Sequence, residues 1–230
     1  MTITAPSARA PRTARRAVPV GLALVAASLP MFMSTLDNLV MTSALPVIQR
    51  ALSASVEQLQ WMMNSYTLAF ATLMLPAATL GDRWGRRRVF LIGIAVFTLA
   101  SMGSALSTTT SALIAARALQ GVGAAAIMPL SLTLLAGAVP ASRRAMAIGV
   151  WGGVSGLGVA LGPVIGGAVV DGFSWQAIFW LNVPVAIVPI QLILPALPEH
   201  PGRRPPHPLV GRALSGAGAL AAGRGCVRAG

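Results

Sequence analysis

The sequence predicts an all-α integral membrane protein, a six-helix transmembrane bundle, and three observations carry that expectation. Of 230 residues, 55% are hydrophobic and only 10% charged, against about 25% charged in soluble domains. Six apolar runs, each near the ~20 residues a membrane span needs, succeed one another between residues 18 and 194. None alternates polar and apolar residues as a transmembrane β-strand does.

Residues 1–17 are rich in Ala, Pro and Arg, lack an apolar period and read as a disordered cytoplasmic arm. A basic arm before an apolar stretch also fits a signal peptide, but the run that follows is longer than an h-region and more spans come after it. The first run, 18–45, contains a single charge, Asp37. The second, 59–80, ends at Gly81-Asp82-Arg83-Trp84-Gly85-Arg86-Arg87-Arg88, read as an eight-residue loop to the third run, 89–106. The fourth, 111–136, holds Arg117 and stops before Pro140 and Arg143-Arg144. The fifth, 146–170, is dense in glycine, and the sixth, 177–194, leads into a Pro- and Arg-rich tail. The expected organisation is an arm over 1–17, a transmembrane domain over 18–197, and a linker and tail over 198–230. The tail has no apolar run long enough to span, and its Ala/Gly/Arg mixture suggests truncation or a reading-frame slip.

All seventeen basic residues are Arg, and with five acids the net charge is +12. In a soluble protein that would point to nucleic acid; here the arginines cluster at the ends of apolar runs, the membrane pattern, so no nucleic-acid partner is expected. With a cytoplasmic N-terminus and six crossings, fifteen of the seventeen fall inside; Arg50 lies outside and Arg117 within a span. Positive-inside bias therefore places both termini in the cytoplasm of a multi-pass protein of the cell membrane. Without Lys there is no Walker A lysine and no Schiff base. The single Cys226 and the two histidines, His200 and His207, all lie beyond the apolar body, so it holds neither a histidine-cysteine metal site nor a Ser-His-Asp triad. No enzyme activity is expected.

Two charges sit inside spans. A carboxylate at mid-membrane costs about 2.5–3.5 kcal/mol on insertion scales. Asp37 therefore faces a polar cavity, where a group able to be charged or neutral suits proton coupling, or lies near the interface bonded to Asn38 or Thr35. Arg117 cannot be deprotonated. It either snorkels outward or pairs inside the bundle, with Asp37 as candidate partner, and Gln120 and Gly121 give the same stretch a small polar face.

In the loop, Gly81 and Gly85 permit a tight turn, and Asp82 fits best as partner to an arginine. In the fifth run Gly158, Gly162 and Gly166 recur every four residues, the spacing that lets helix backbones approach closely in lipid. Pro163 removes one backbone hydrogen bond among them. Gly121-Val122-Gly123-Ala124-Ala125-Ala126 matches a dinucleotide fingerprint in letters, but it lies mid-run with no preceding strand and is rejected.

Together these segments resemble the major facilitator superfamily, and within it the fourteen-helix drug:proton antiporters, over about residues 18–199. The stretch Gly81, Asp82, Arg83, Gly85, Arg86, Arg87 looks like the family's cytoplasmic signature between helices 2 and 3, with Ala78 where its first glycine stands. Leu113 through Arg117, Gln120, Gly121, Gly123 and Ala125 resemble the helix 4 signature, whose arginine is linked to proton coupling. Gly149, Gly158, Gly162, Pro163, Gly166 and Gly167 fit the antiporter signature of helix 5. Leu36-Asp37 with Ala44-Leu45-Pro46 is similar to the helix 1 signature of drug exporters, with Leu39 and Thr42 departing from its usual Thr and Asn. Trp175, Phe179, Asn182 and Pro184 look like the start of helix 6.

The resemblance implies the N-terminal domain of an exporter, built as an inverted three-plus-three helix repeat. Asp82 and its arginines would latch a cytoplasmic gate, while Asp37, Arg117 and Gln120 would line a cavity exchanging protons for a cationic or amphipathic drug. It implies no cofactor, a proton gradient as driving force, and the bilayer and a small molecule as partners. A second bundle would come from a missing C-terminal half or a homodimer. A non-transporting scaffold and an uptake-type carrier are the alternatives.

Overall fold

The computed structural model describes residues 19–196. The arm over 1–17 and the linker and tail over 198–230 lie outside the described residues. Seven α-helices follow in order: α1 (Val20–Leu52), α2 (Val56–Trp84), α3 (Arg86–Ala105), α4 (Thr110–Ala138), α5 (Arg144–Gly172), α6 (Ala177–Trp180) and α7 (Asn182–Ala196), with a 3-10 turn at Ala141–Arg143 before α5. There is no strand among the described residues.

Among the described residues, four stretches are long and apolar enough to cross a membrane: Val20–Leu52, Arg86–Ala105, Thr110–Ala138 and Ala141–Gly172. The second and sixth runs are also helical and differ from these four for separate reasons. Helix α2 has 29 residues, roughly 43 Å at the α-helical rise, but Asn64, Ser65, Thr67, Thr72 and Thr79 dilute its apolar character. The sixth run is divided into α6 and α7 at Leu181, which itself keeps helical angles (φ −61°, ψ −29°). Pro184 has no N–H to donate to the carbonyl four residues back, and the division falls one turn before it. Apolar side chains face outward on several helices, among them Leu75, Leu99, Leu157 and Val164. Such a surface is suited to lipid and not to water.

Local signals fix the helix ends. Ser55 Oγ accepts from Gln58 N–H (3.2 Å) while Gln58 Oε1 accepts from Ser55 N–H (3.0 Å), a reciprocal capping box that starts α2. Thr109 caps α4 through Ala112 N–H. The expected eight-residue loop between the second and third runs does not form. Gly81 through Trp84 continue α2, and the chain turns on Gly85 alone (φ 103°, ψ 123°), whose N–H still donates to Gly81 O (3.0 Å). Only one glycine is needed for the reversal, because a positive φ at one residue suffices to redirect the chain. Gly81 has a packing role instead: a Cβ there would come within 2.5 Å of Leu130 Cδ2. Gly85→Ala is expected to cost about 1–3 kcal/mol through backbone strain, read as a lowered melting temperature of the purified chain in detergent.

The interior has two apolar clusters. One contains Met33 of α1, Phe90, Ile94 and Phe97 of α3, and Ile127 and Leu130 of α4. The other contains Leu36, Met41 and Ile48 of α1, Met62 of α2, Leu113 of α4 and Phe179 of α6. Along α3 and α4 the change from one cluster to the other falls at buried polar residues, Ser101 and Ser104 on α3, Arg117 and Gln120 on α4. The bundle thus has a polar layer at its waist.

Candidate functional site

Helix α1 brings Asp37 into that layer from its middle turn, between Leu36 and Val40 of the second cluster. Helix α4 brings Arg117 and Gln120, one turn apart and both fully buried. Arg117 Nη1 donates to Asp37 Oδ2 at 2.6 Å, with side-chain exposures of 0% and 2%. At those exposures Arg117 does not snorkel, and Asp37 is not an interfacial residue held by Asn38 or Thr35. The second carboxylate oxygen, Oδ1, accepts from Asn182 Nδ2 at 2.6 Å and from Gln120 Nε2 at 3.2 Å.

The layer extends by hydrogen bonds. Gln120 Oε1 accepts from Arg117 Nη1 (3.2 Å) and from Ser104 Oγ (3.1 Å). Asn182 Nδ2 also donates to Ser101 Oγ (3.0 Å), and Ser101 Oγ donates to Phe179 O (2.8 Å). One carboxylate thereby ties α1 to α4 and α7, with α3 joined through its serines. The guanidinium is left incomplete, since Arg117 Nε and Nη2 are buried without a hydrogen-bond partner. Its Cζ lies 4.5 Å from the centroid of the Tyr66 ring, and the π face partly replaces the missing acceptors.

Two spaces adjoin this network on different sides. A gap of about 10 Å³ borders Asp37 and Asn182 together with Ile165, Val169 and Ile178 of α5 and α6; that is close to the room one water molecule takes. A larger cavity of about 360 Å³ lies beside Tyr66, Phe70 and Asn38, with Met31 and Met128.

The remaining predicted residues lie elsewhere. Asp82 Oδ1 accepts from Arg86 Nε at 2.8 Å across the Gly85 turn, both side chains half-exposed. Arg83 is exposed and Arg87 half-buried beside them. In α5, Gly158, Gly162 and Gly166 are buried against α1, where added Cβ atoms would meet Phe32, Leu39 and Val40. Pro163 is inside the same helix. Gly149 and Gly167 face open space: a Cβ at either would meet nothing within 4 Å.

Reading the residues alone missed Ser101, Ser104, Tyr66 and Asn182, the last named only within the helix 6 resemblance. The serines stand three apart, on one helical face, in an otherwise apolar run, and that spacing was the available signal. Tyr66 is the one tyrosine in the chain.

The sequence profile of the Major Facilitator Superfamily matches residues 20–225. The chain is 42% identical over 174 residues to the multidrug resistance protein Stp of Mycobacterium tuberculosis, covering 75% of this chain and 32% of that protein. It is 40% identical over 185 residues to the methylenomycin A resistance protein of Streptomyces coelicolor, covering 80% and 39%. To the riboflavin transporter RibZ of Clostridioides difficile it is 35% identical over 178 residues, covering 77% and 39%. The chain thus spans between about a third and two fifths of the length of these relatives. An all-helical membrane bundle with a charged waist, matched by that profile over most of its length, belongs to the Major Facilitator Superfamily and is a multi-pass membrane protein.

Proposed function

We propose that the chain carries the proton-coupling bundle of an exporter for small amphipathic molecules, with both termini on the cytoplasmic side of the cell membrane. The observation that carries this reading is the Asp37 carboxylate, buried at the waist and held by donors from α4 and α7. A proton placed on Asp37 removes the charge that Arg117 compensates. Arg117, with two nitrogens already unpartnered, then seeks another acceptor, and the α1–α4 contact loses its main polar tie. Protonation and helix rearrangement are coupled in this way without any cofactor, the proton gradient supplying the driving force. The one-water gap beside Asp37 offers the proton a place to arrive apart from the larger cavity. The half-exposed Asp82–Arg86 pair at the α2–α3 turn would serve as a cytoplasmic latch. The glycine face of α5 would let α1 and α5 slide closely past each other. Alternating access needs a second bundle, supplied by a C-terminal half or a second copy.

The names of the relatives favour export: a multidrug resistance protein and an antibiotic resistance protein are among them. The test uses inverted membrane vesicles from cells expressing the chain and a panel of amphipathic dyes. Acid-inside vesicles are expected to accumulate dye, a protonophore to abolish the accumulation, and Asp37→Asn to reduce it at least tenfold. Accumulation unchanged in Asp37→Asn would overturn the assignment of the proton site. No gradient-dependent accumulation at all would favour a non-transporting scaffold.

A further inference from the structure

The cavity beside Tyr66 has a chemical character that narrows the substrate class. Tyr66 and Phe70 present nearly parallel rings, 5° apart in plane with centroids 6.4 Å apart, and Met31 and Met128 add polarizable apolar surface. Planar aromatic molecules are the natural match for such walls. At about 360 Å³ the space falls within the range of small-molecule sites.

Charge decides the rest. No acidic residue among the described residues lines the cavity. The nearby carboxylate, Asp37, borders the separate one-water gap and has both oxygens engaged by Arg117, Gln120 and Asn182. The charge in contact with the aromatic wall is positive: Arg117 sits on the Tyr66 ring. That contact already uses the ring's electron density, so a second cation on Tyr66 meets a weakened quadrupole and a like charge. If Asp37 takes up a proton, the positive field only grows.

Specific polar recognition has a single free group. Ser34 Oγ and Thr35 Oγ1 donate to Met31 O, and Thr67 Oγ1 to Met63 O, so these hydroxyls offer only acceptors. Tyr66 donates to Ser34 O. Asn38, half-buried, is the lining polar side chain with no hydrogen bond among the described residues. Its amide presents a donor and an acceptor side by side.

We infer that this cavity binds uncharged planar aromatic molecules with an adjacent donor–acceptor edge, such as an imide or lactam, and discriminates against cations. The inference rests on the export reading for its meaning, and it narrows the amphipathic class to the neutral side.

The test is equilibrium binding to the purified full chain in detergent, with two tricyclic fluorophores of similar size. Lumiflavin is uncharged and carries an imide edge; proflavine is cationic at neutral pH. Lumiflavin is expected to bind at least tenfold more tightly than proflavine. Asn38→Leu is expected to weaken lumiflavin binding at least tenfold while leaving proflavine within twofold. Phe70→Leu, which keeps an apolar wall, serves as a second variant if Asn38→Leu fails to fold; it is expected to weaken lumiflavin at least fivefold. Proflavine binding as tightly as lumiflavin, binding of neither dye, or lumiflavin binding unaffected by these substitutions would each overturn the proposal. The vesicle experiment is separate. Selective lumiflavin binding without gradient-driven flux upholds the cavity and removes the export reading; proton-driven proflavine accumulation without lumiflavin binding does the reverse.

Discussion

Asp37→Leu should destabilise the bundle by about 3–5 kcal/mol, the usual consequence of stranding a buried charge. Arg117→Leu should cost measurably less. The asymmetry follows from proton chemistry. Removing Asp37 leaves a guanidinium that cannot shed its proton, with Nε and Nη2 already lacking partners. Removing Arg117 leaves a carboxyl that can become neutral by taking up a proton, and Asn182 and Gln120 still donate to it. The double variant Asp37→Leu/Arg117→Leu holds no buried charge at all, and apolar replacement of a buried pair is often neutral or stabilising. It should recover most of the lost stability, giving a coupling of at least about 2 kcal/mol, toward the upper end for contacting residues. Denaturant titration of the four proteins in detergent measures the cycle. Additive single effects would show that the 2.6 Å contact is not energetically important. Gradient-driven dye accumulation should be lost in the double variant despite its restored stability, which separates a structural pair from a working one.

How much of this was legible in the sequence depended on whether the signal was local. The apolar runs, the single carboxylate in the first and the single arginine in the fourth stand out because each violates its surroundings, and a buried charge has few ways to exist. Arg117 and Asp37 thereby stand out as partners although eighty residues separate them. Ser101 and Ser104 leave no such anomaly, since a serine is cheap to bury once its hydroxyl finds a carbonyl, on its own helix as Ser104 does at Ala100 or on a neighbour as Ser101 does at Phe179. The turn at Gly85 was read too long for a related reason. Gly81 and Gly85 are the same letter, and only the approach of Leu130 to one and the positive φ of the other tell them apart. The interruption between α6 and α7 was available in Pro184, but apolar content alone counted the run as one span. The cavity's charge is a tertiary fact: Asn38 follows Asp37 in the chain, yet the two border different spaces.

Gly123→Ala should be among the most damaging single-methyl changes in the bundle. The letters Gly121-Val122-Gly123 resemble a nucleotide fingerprint, and their physical content is quite different. Two residues apart on a helix are about 200° apart around its axis, so these glycines face opposite neighbours. A Cβ at Gly123 would lie 2.6 Å from Phe97 N and 2.7 Å from Gly93 O, both backbone atoms of α3. A Cβ at Gly121 would collide with the Tyr66 carbonyl of α2. Helix α4 is therefore wedged between α2 and α3 with backbone nearly touching backbone on each side. Backbone atoms cannot rotate away as a side-chain tip can, so the whole helix must shift, and overpacking of this kind costs about 1–3 kcal/mol or more. Since α4 also carries Arg117 and Gln120, the shift would misalign the pair with Asp37. Gly123→Ala is expected to lower the melting temperature of the chain in detergent by more than any of three comparison variants. Gly158→Ala should be milder, because its nearest neighbour, Phe32 O, would be 3.2 Å away. Gly81→Ala should fall between them, since the atom it meets is the movable end of Leu130. Gly149→Ala, with nothing within 4 Å, should be neutral or stabilising by up to about 1 kcal/mol from helix propensity. A ranking in which Gly149→Ala is as harmful as Gly123→Ala would mean that the close crossing of α3 and α4 does not govern these positions.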